Sequence, residues 1–166
     1  MDAATFLALA LACAPQVHPD TARAIARVES SFNPYAIGVV GGALHRQPRT
    51  RAEALATIEA LQADGWNYSV GLGQINVDNF TRLGLTPGSA LDPCASLTAM
   101  QSVLGECYSR AALNHAAQNA LRFALSCYYS GNFTAGLRHG YVGKVVRASA
   151  SASAAGSALP NRKERS

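Results

Sequence analysis

The 166-residue chain is long enough to bury the core of one ordinary domain. Hydrophobic residues make up 49% of it and charged residues only 14%, which excludes a disordered protein. The net charge of +4 favours acidic surroundings, but Arg162, Lys163 and Arg165 cluster at the very end. No basic stripe interleaves with aromatics, so a nucleic-acid partner is not expected.

Residues 3–12 read as a first helix. The apolar run Phe6 to Ala12 is short, and Asp2 stands where a signal peptide would carry positive charge. A helix of the domain is therefore the better reading, and no export signal is evident. No stretch approaches the ~20 apolar residues needed to cross a bilayer. Pro15 breaks the first helix, and Pro19-Asp20-Thr21 opens a second. On it Ala22, Ile25, Ala26 and Glu29 share one face, and Asn33-Pro34 ends it.

Residues 38–49, with the Gly41-Gly42 turn, predict a β-hairpin. Thr50-Arg51-Ala52-Glu53 is a capping box, Leu55, Ile58 and Leu61 form the buried stripe of the next helix, and Gly65 stops it. Trp66, Tyr68 and Val70 alternate as a short extended segment. A brief helix near 78–83, a turn at Pro87-Gly88, and helices over about 92–111, 116–129 and 141–148 complete the domain. Residues 149–166 turn Ala/Ser-rich and then basic, which reads as a disordered tail after a domain spanning 1–148. The fold class expected is mainly α, with one small β element.

Cys13, Cys94, Cys107 and Cys127 form an even set with no Cys-x-x-Cys pair, and the four histidines fall at no ligand spacing. Zinc is not expected; two disulfides in an oxidising compartment explain the count better. If Cys94 and Cys107 lie at opposite ends of one helix, thirteen residues part them by ~20 Å. A disulfide needs Cα atoms within ~7 Å, so that pair is excluded. The favoured pairing is Cys13 with Cys94 and Cys107 with Cys127, the second stapling consecutive helices.

Three blocks carry chemistry. Glu29-Ser30 closes the second helix, where apolar neighbours and the negative helix end both disfavour a charged carboxylate and raise its pKa. By itself, such a glutamate more often tips into solvent. Gly71-Leu72-Gly73-Gln74-Ile75-Asn76 lets backbone approach a ligand and projects two amides, Gln74 and Asn76, from one extended segment. Tyr128-Tyr129-Ser130-Gly131-Asn132 places a phenol at a helix end. A protonated carboxyl beside an amide-bearing turn suits protonation of a glycosidic oxygen.

In series these blocks resemble the soluble lytic transglycosylases, goose-type-lysozyme-like enzymes that cut peptidoglycan. That family's pattern is Glu-Ser, then Gly-Leu-Met-Gln, then Ala-Tyr-Asn-Ala-Gly. Glu29-Ser30 matches fully; Gly71-Leu72-Gly73-Gln74 has Gly for Met; Cys127-Tyr128-Tyr129-Ser130-Gly131 keeps only Tyr and Gly. The segments 33–42 and 66–76 and Asp92-Pro93-Cys94 look most like the transglycosylase subunit of type IV secretion systems.

The resemblance implies an α+β lysozyme-like fold in which a helical domain borders a saccharide cleft. It implies Glu29 as sole acid/base, Ser30, Gln74, Asn76 and Tyr128 as substrate-binding residues, and Tyr128 touching Glu29 or the reacting sugar. It also implies cleavage of the MurNAc-β-1,4-GlcNAc bond with formation of a 1,6-anhydro sugar, needing neither metal nor cofactor. The partners would be glycan strands and type IV secretion components, and the location the periplasm. A water-using muramidase and a non-catalytic wall-binding scaffold are the competing expectations.

Overall fold

The computed structural model describes residues 1–156. The chain runs α1 (Ala3–Cys13), α2 (Pro19–Ser30), β1 (Ile37–Val39), α3 (Arg51–Ala63), β2 (Tyr68–Val70) and β3 (Ile75–Asn76). A single 3-10 turn (Val77–Asn79) follows, then α4 (Phe80–Leu83), α5 (Pro87–Ala90), α6 (Pro93–Ala112), α7 (Ala117–Ser130), α8 (Ala135–Arg138) and α9 (Tyr141–Gly156). The architecture is mainly helical with a small antiparallel sheet, as expected.

Local chemistry accounts for the helix ends. Asp2 accepts from Thr5 N and caps α1, Thr50 accepts from Glu53 N at α3, and Asp92 accepts from Ala95 N at α6. Phe6 and Ala10 of α1 are buried in the common core, so the apolar N-terminal run is a working helix of the domain. The most extensive contacts between helices join α6 to α7 and α2 to α9, and Ile25, Leu72, Leu97, Met100 and Val142 belong to the common buried core.

Cys13–Cys94 ties α1 to the start of α6, with Cα atoms 5.3 Å apart, and Cys107–Cys127 joins α6 to α7 at 5.8 Å. The first closes a loop of sequence separation 81 and the second one of 20. The longer loop removes more freedom from the unfolded chain. The second bond precedes Tyr128 in sequence and ties the C-terminal part of α7 to α6.

The predicted hairpin over 38–49 does not form. β1 instead pairs antiparallel with β2, Ile37 opposite Val70 and Val39 opposite Tyr68, and β2 pairs with β3 across the glycine turn. What the sequence hides is the role of Gln47. Its Oε1 accepts from Ile37 N at 2.8 Å and its Nε2 donates to Ile37 O at 2.9 Å. One side-chain amide thus replaces the strand that the apolar pattern of 43–49 suggests. The Pro87-Gly88 turn is the start of α5, whose Thr86 and Ser89 cap each other. The last helix passes the expected end at Ala148 and continues to Gly156, because Ala and Ser offer nothing that stops a helix before that glycine. The remainder of the expected tail, 157–166, lies outside the described residues.

Gly71 is the most crowded of the glycines. Its φ is +80°, and a Cβ there would fall 2.5 Å from the Ala90 carbonyl oxygen and 2.7 Å from Ser96 Oγ. Gly84 has a similar φ of +65° but open space around it. Gly84→Ala should therefore cost about 1 kcal/mol from backbone strain alone. Gly71→Ala should cost at least about 2–3 kcal/mol, since α5 must also move. Denaturant midpoints of the two variants check the difference.

Candidate active site

The site is assembled where the end of α2, the glycine turn and the end of α7 converge. α2 finishes at Ser30 because Ser31 and Phe32 take left-handed conformations, with φ of 50° and 62°. Phe32 offsets that strain by packing edge-on against Phe6, ring centroids 5.2 Å apart. Ser30 is buried, and its Oγ lies 2.9 Å from the Ala26 carbonyl and 3.0 Å from the Leu72 carbonyl. Its single proton is shared between the helix and the turn. Ser30 therefore fixes the turn against Glu29 and has no atom directed into open space.

The turn is anchored three more times. Gly73 N donates to Ser96 Oγ, Tyr128 Oη donates to the Gly73 carbonyl, and Gln74 Nε2 donates to both Ala36 and Gly71 carbonyls. Two carbonyl acceptors fix the Gln74 amide with its nitrogen inward. Gln74 itself has a φ of 47°, and its Oε1 approaches Gly38 so closely that a Cβ at position 38 would lie 2.7 Å away. Gly38 is thus a clearance for the amide.

Gly73 plays the same part for Tyr128. A Cβ at 73 would sit 2.8 Å from the phenol oxygen and 3.1 Å from Met100 Cβ. The phenol fills the volume that a side chain at 73 would take.

Asn76 belongs to a polar network along the groove. Its Nδ2 donates to Asn67 Oδ1 at 2.6 Å and Ser69 Oγ at 3.2 Å, and its Oδ1 accepts from Asp78 N. Asn67 Nδ2 in turn donates to Asp78 Oδ2 at 2.9 Å. Each member satisfies its neighbour, so the wall is rigid before any ligand arrives.

Two cavities meet here. One is lined by Glu29, Gly38, Val39, Val40, Ser69, Gln74, Tyr128 and Tyr129. The other shares Val40, Ser69, Gln74, Tyr128 and Tyr129 and runs on to Asn67, Asn76, Asp78 and Asn79. Together they form one groove, with Glu29 at one end and the Asn76 network along its floor. Of the expected site residues, Glu29, Gln74, Asn76 and Tyr128 all line it, while Ser30 lies behind it.

Tyr128 does not bond to Glu29. The phenol that does is Tyr141 at the start of α9, whose Oη donates to Glu29 Oε1 at 2.6 Å. Burial pushes the Glu29 carboxyl up to about 7, and the Tyr141 hydrogen bond, which favours the ionised form, partly opposes it. Burial raises both phenols, Tyr128 and Tyr141, well above the usual tyrosine range, so each remains a donor. Sequence reasoning missed Tyr141. It sits in an apolar run with Val142 and Val145 and reads as core. The usable signal was that a buried phenol needs an acceptor.

The transglycosylase SLT domain family model matches residues 6–145, so the chain belongs to that family. It is similar to the type IV secretion system protein VirB1 of Brucella abortus biovar 1, 50% identical over 148 residues, covering 85% of this chain and 62% of that protein. It is also similar to protein VirB1 of Agrobacterium fabrum, 43% identical over 147 residues, with 87% of this chain and 59% of that protein covered. The chain therefore spans about three fifths of the length of these relatives. No solved structure matches it.

Two results follow from the Glu29–Tyr141 pair. Tyr141→Phe removes a donor that favours the carboxylate, so the Glu29 titration, followed by carbon NMR of labelled glutamate, should move to higher pH. Because the folded pKa of about 7 exceeds the ordinary 4.5, the stability linked to protonated Glu29 is complete below 4.5 and lost as pH rises through about 7. Glu29→Gln should therefore unfold at higher denaturant than the parent at pH 8, by about 1–3 kcal/mol, with little difference at pH 4.

Proposed function

We propose that this chain is a peptidoglycan lytic transglycosylase domain that cuts the MurNAc-β-1,4-GlcNAc bond, forms a 1,6-anhydro MurNAc end, and opens the wall in the periplasm for a type IV secretion assembly. The feature that carries the reading is the Glu29 carboxyl, pushed up to about 7 by burial and, among the described residues, the one acid lining its end of a polar groove. Family membership supports the reaction class, and similarity to the two VirB1 proteins supports the secretion context.

Ordinary glycosidases flank the scissile bond with two carboxyl groups. Among the described residues lining the Glu29 cavity, Glu29 alone is acidic. Asp78 lines the adjoining cavity, where Asn67 holds it, and is absent from the lining around Glu29. One acid then serves both steps. Protonated Glu29 gives its proton to the departing GlcNAc oxygen as the glycosidic bond breaks, and the MurNAc acetamido carbonyl stabilises the positive anomeric carbon. Ionised Glu29 next takes the proton of the MurNAc 6-hydroxyl while that oxygen bonds to the anomeric carbon. The carboxyl is regenerated and no water is consumed. Nucleophile and electrophile share one sugar, so the ring closure gains the advantage of an intramolecular step.

Tyr141 steadies the carboxylate between the two transfers. Its hydrogen bond is compatible with both protonation states, because one oxygen accepts from the phenol while the other is left for the sugar. The inward-facing amides of Gln74 and Asn76 hold the wall, and their exposed faces meet the glycan's hydroxyls and acetamido groups.

Digests of purified sacculi analysed by mass spectrometry should contain anhydro ends; reducing ends instead would make the enzyme a muramidase. Glu29→Gln should lower the rate by about 10²–10⁴-fold. Equal clearing by variant and parent would favour a non-catalytic scaffold. Turnover should fall as pH rises through about 7, where the donor proton is lost. A flat profile up to pH 9 would contradict Glu29 as the acid.

A further inference from the structure

Tyr129 has no part in the reaction as derived above, yet it is the most prominent aromatic surface of the groove. It is 45% exposed and lines both cavities, sharing one of them with Glu29. One face is already occupied. The ring stacks on Tyr141 with centroids 4.7 Å apart and planes inclined by 21°, and the His139 ring stands near perpendicular to it with centroids 6.0 Å apart. Its hydroxyl lies 3.5 Å from His139 Nδ1. The ring is therefore stacked on Tyr141 through one face and flanked by His139, and the part of it that stays exposed lines the groove.

An exposed tyrosine braced in this way loses little freedom on binding, since its two side-chain torsions are already set. Its free face is the electron-rich face of the π system. A pyranose presents the complementary surface, a flat array of C–H groups whose hydrogens carry partial positive charge. Polar side chains stand around that ring in the same groove: Ser69, Gln74 and Asn76 along the floor. An apolar platform ringed by hydrogen-bonding groups is how a concave site takes a sugar, stacking on its face and reading its edge.

Resting on the reading of the groove as a glycan site, we propose that Tyr129 is the stacking platform for the sugar bound next to the bond cleaved at Glu29. It holds that ring flat against α7 and brings its glycosidic oxygen to the carboxyl. Tyr129 is a binding residue in this account. A purely structural role, as a prop for Tyr141, is the competing explanation, and the two separate by experiment.

Binding of tetra-N-acetylchitotetraose is measured by calorimetry in a Glu29→Gln background, where no cleavage intervenes. Tyr129→Phe keeps the ring and should bind within about twofold of the parent. Tyr129→Leu keeps an apolar cover over Tyr141 without an aromatic face and should bind about tenfold more weakly. With Glu29 intact, Tyr129→Leu should leave the carboxyl titration by NMR where it is in the parent.

Equal affinity of the Leu and Phe variants overturns the platform. So does a Leu variant of normal affinity whose Glu29 titration has moved, which would make Tyr129 a prop. Absence of tetrasaccharide binding when Tyr129 is intact overturns it as well. Failure of the transglycosylase reading looks different: sugar binding persists and depends on Tyr129, while digested sacculi carry no anhydro ends.

Discussion

In the proposed role Glu29 both gives and takes a proton, which needs an environment that penalises its charge without forbidding it. Glu29 has this balance because burial and one hydrogen bond pull in opposite directions. Much of the surrounding structure serves to keep the balance. Ser30 fastens the glycine turn to the last turn of α2, Phe32 and Phe6 absorb the strain of the chain reversal, and α9 delivers Tyr141 across 112 residues of sequence. If α9 shifted by an ångström, the phenol would release the carboxyl and burial alone would govern it.

The glycine turn shows how the same economy works on the other wall. Its carbonyls and amides bond to Ser30, Ser96, Tyr128 and Gln74, which come from α2, α6, α7 and the turn itself. Gly71 admits α5, Gly73 admits the Tyr128 phenol, and Gly38 admits the Gln74 amide. The three glycines are spaces for particular polar atoms. The Cys107–Cys127 bond then limits how far α7 can move from the turn it seals.

The sequence discloses the helices well because their caps and apolar stripes are local: Thr50 with Glu53, and Asp92 before Pro93, need no tertiary knowledge. The three blocks it marks also come together in space, since Glu29, Gln74, Asn76 and Tyr128 line one groove. The sheet was misread because Gln47 acts as a strand through its side chain, which leaves no periodic mark. Tyr141 was missed because its ring belongs to the core and only its oxygen belongs to the site. Ser30, expected at the ligand, directs its hydroxyl to the Ala26 and Leu72 carbonyls, a direction that adjacency to Glu29 does not reveal. Each miss is a long-range choice of hydrogen-bond partner, which composition and periodicity do not encode.

The Gln47 amide has one more effect. Together with the Gly42 amide, which donates to the Val39 carbonyl, it occupies the outward rungs of β1 that an incoming strand would need first. An open strand border invites other chains to extend the ladder, and proteins commonly blunt such borders. Here one glutamine and one turn amide take up the Ile37 groups and the Val39 carbonyl, so a neighbour approaching from that side meets little free backbone.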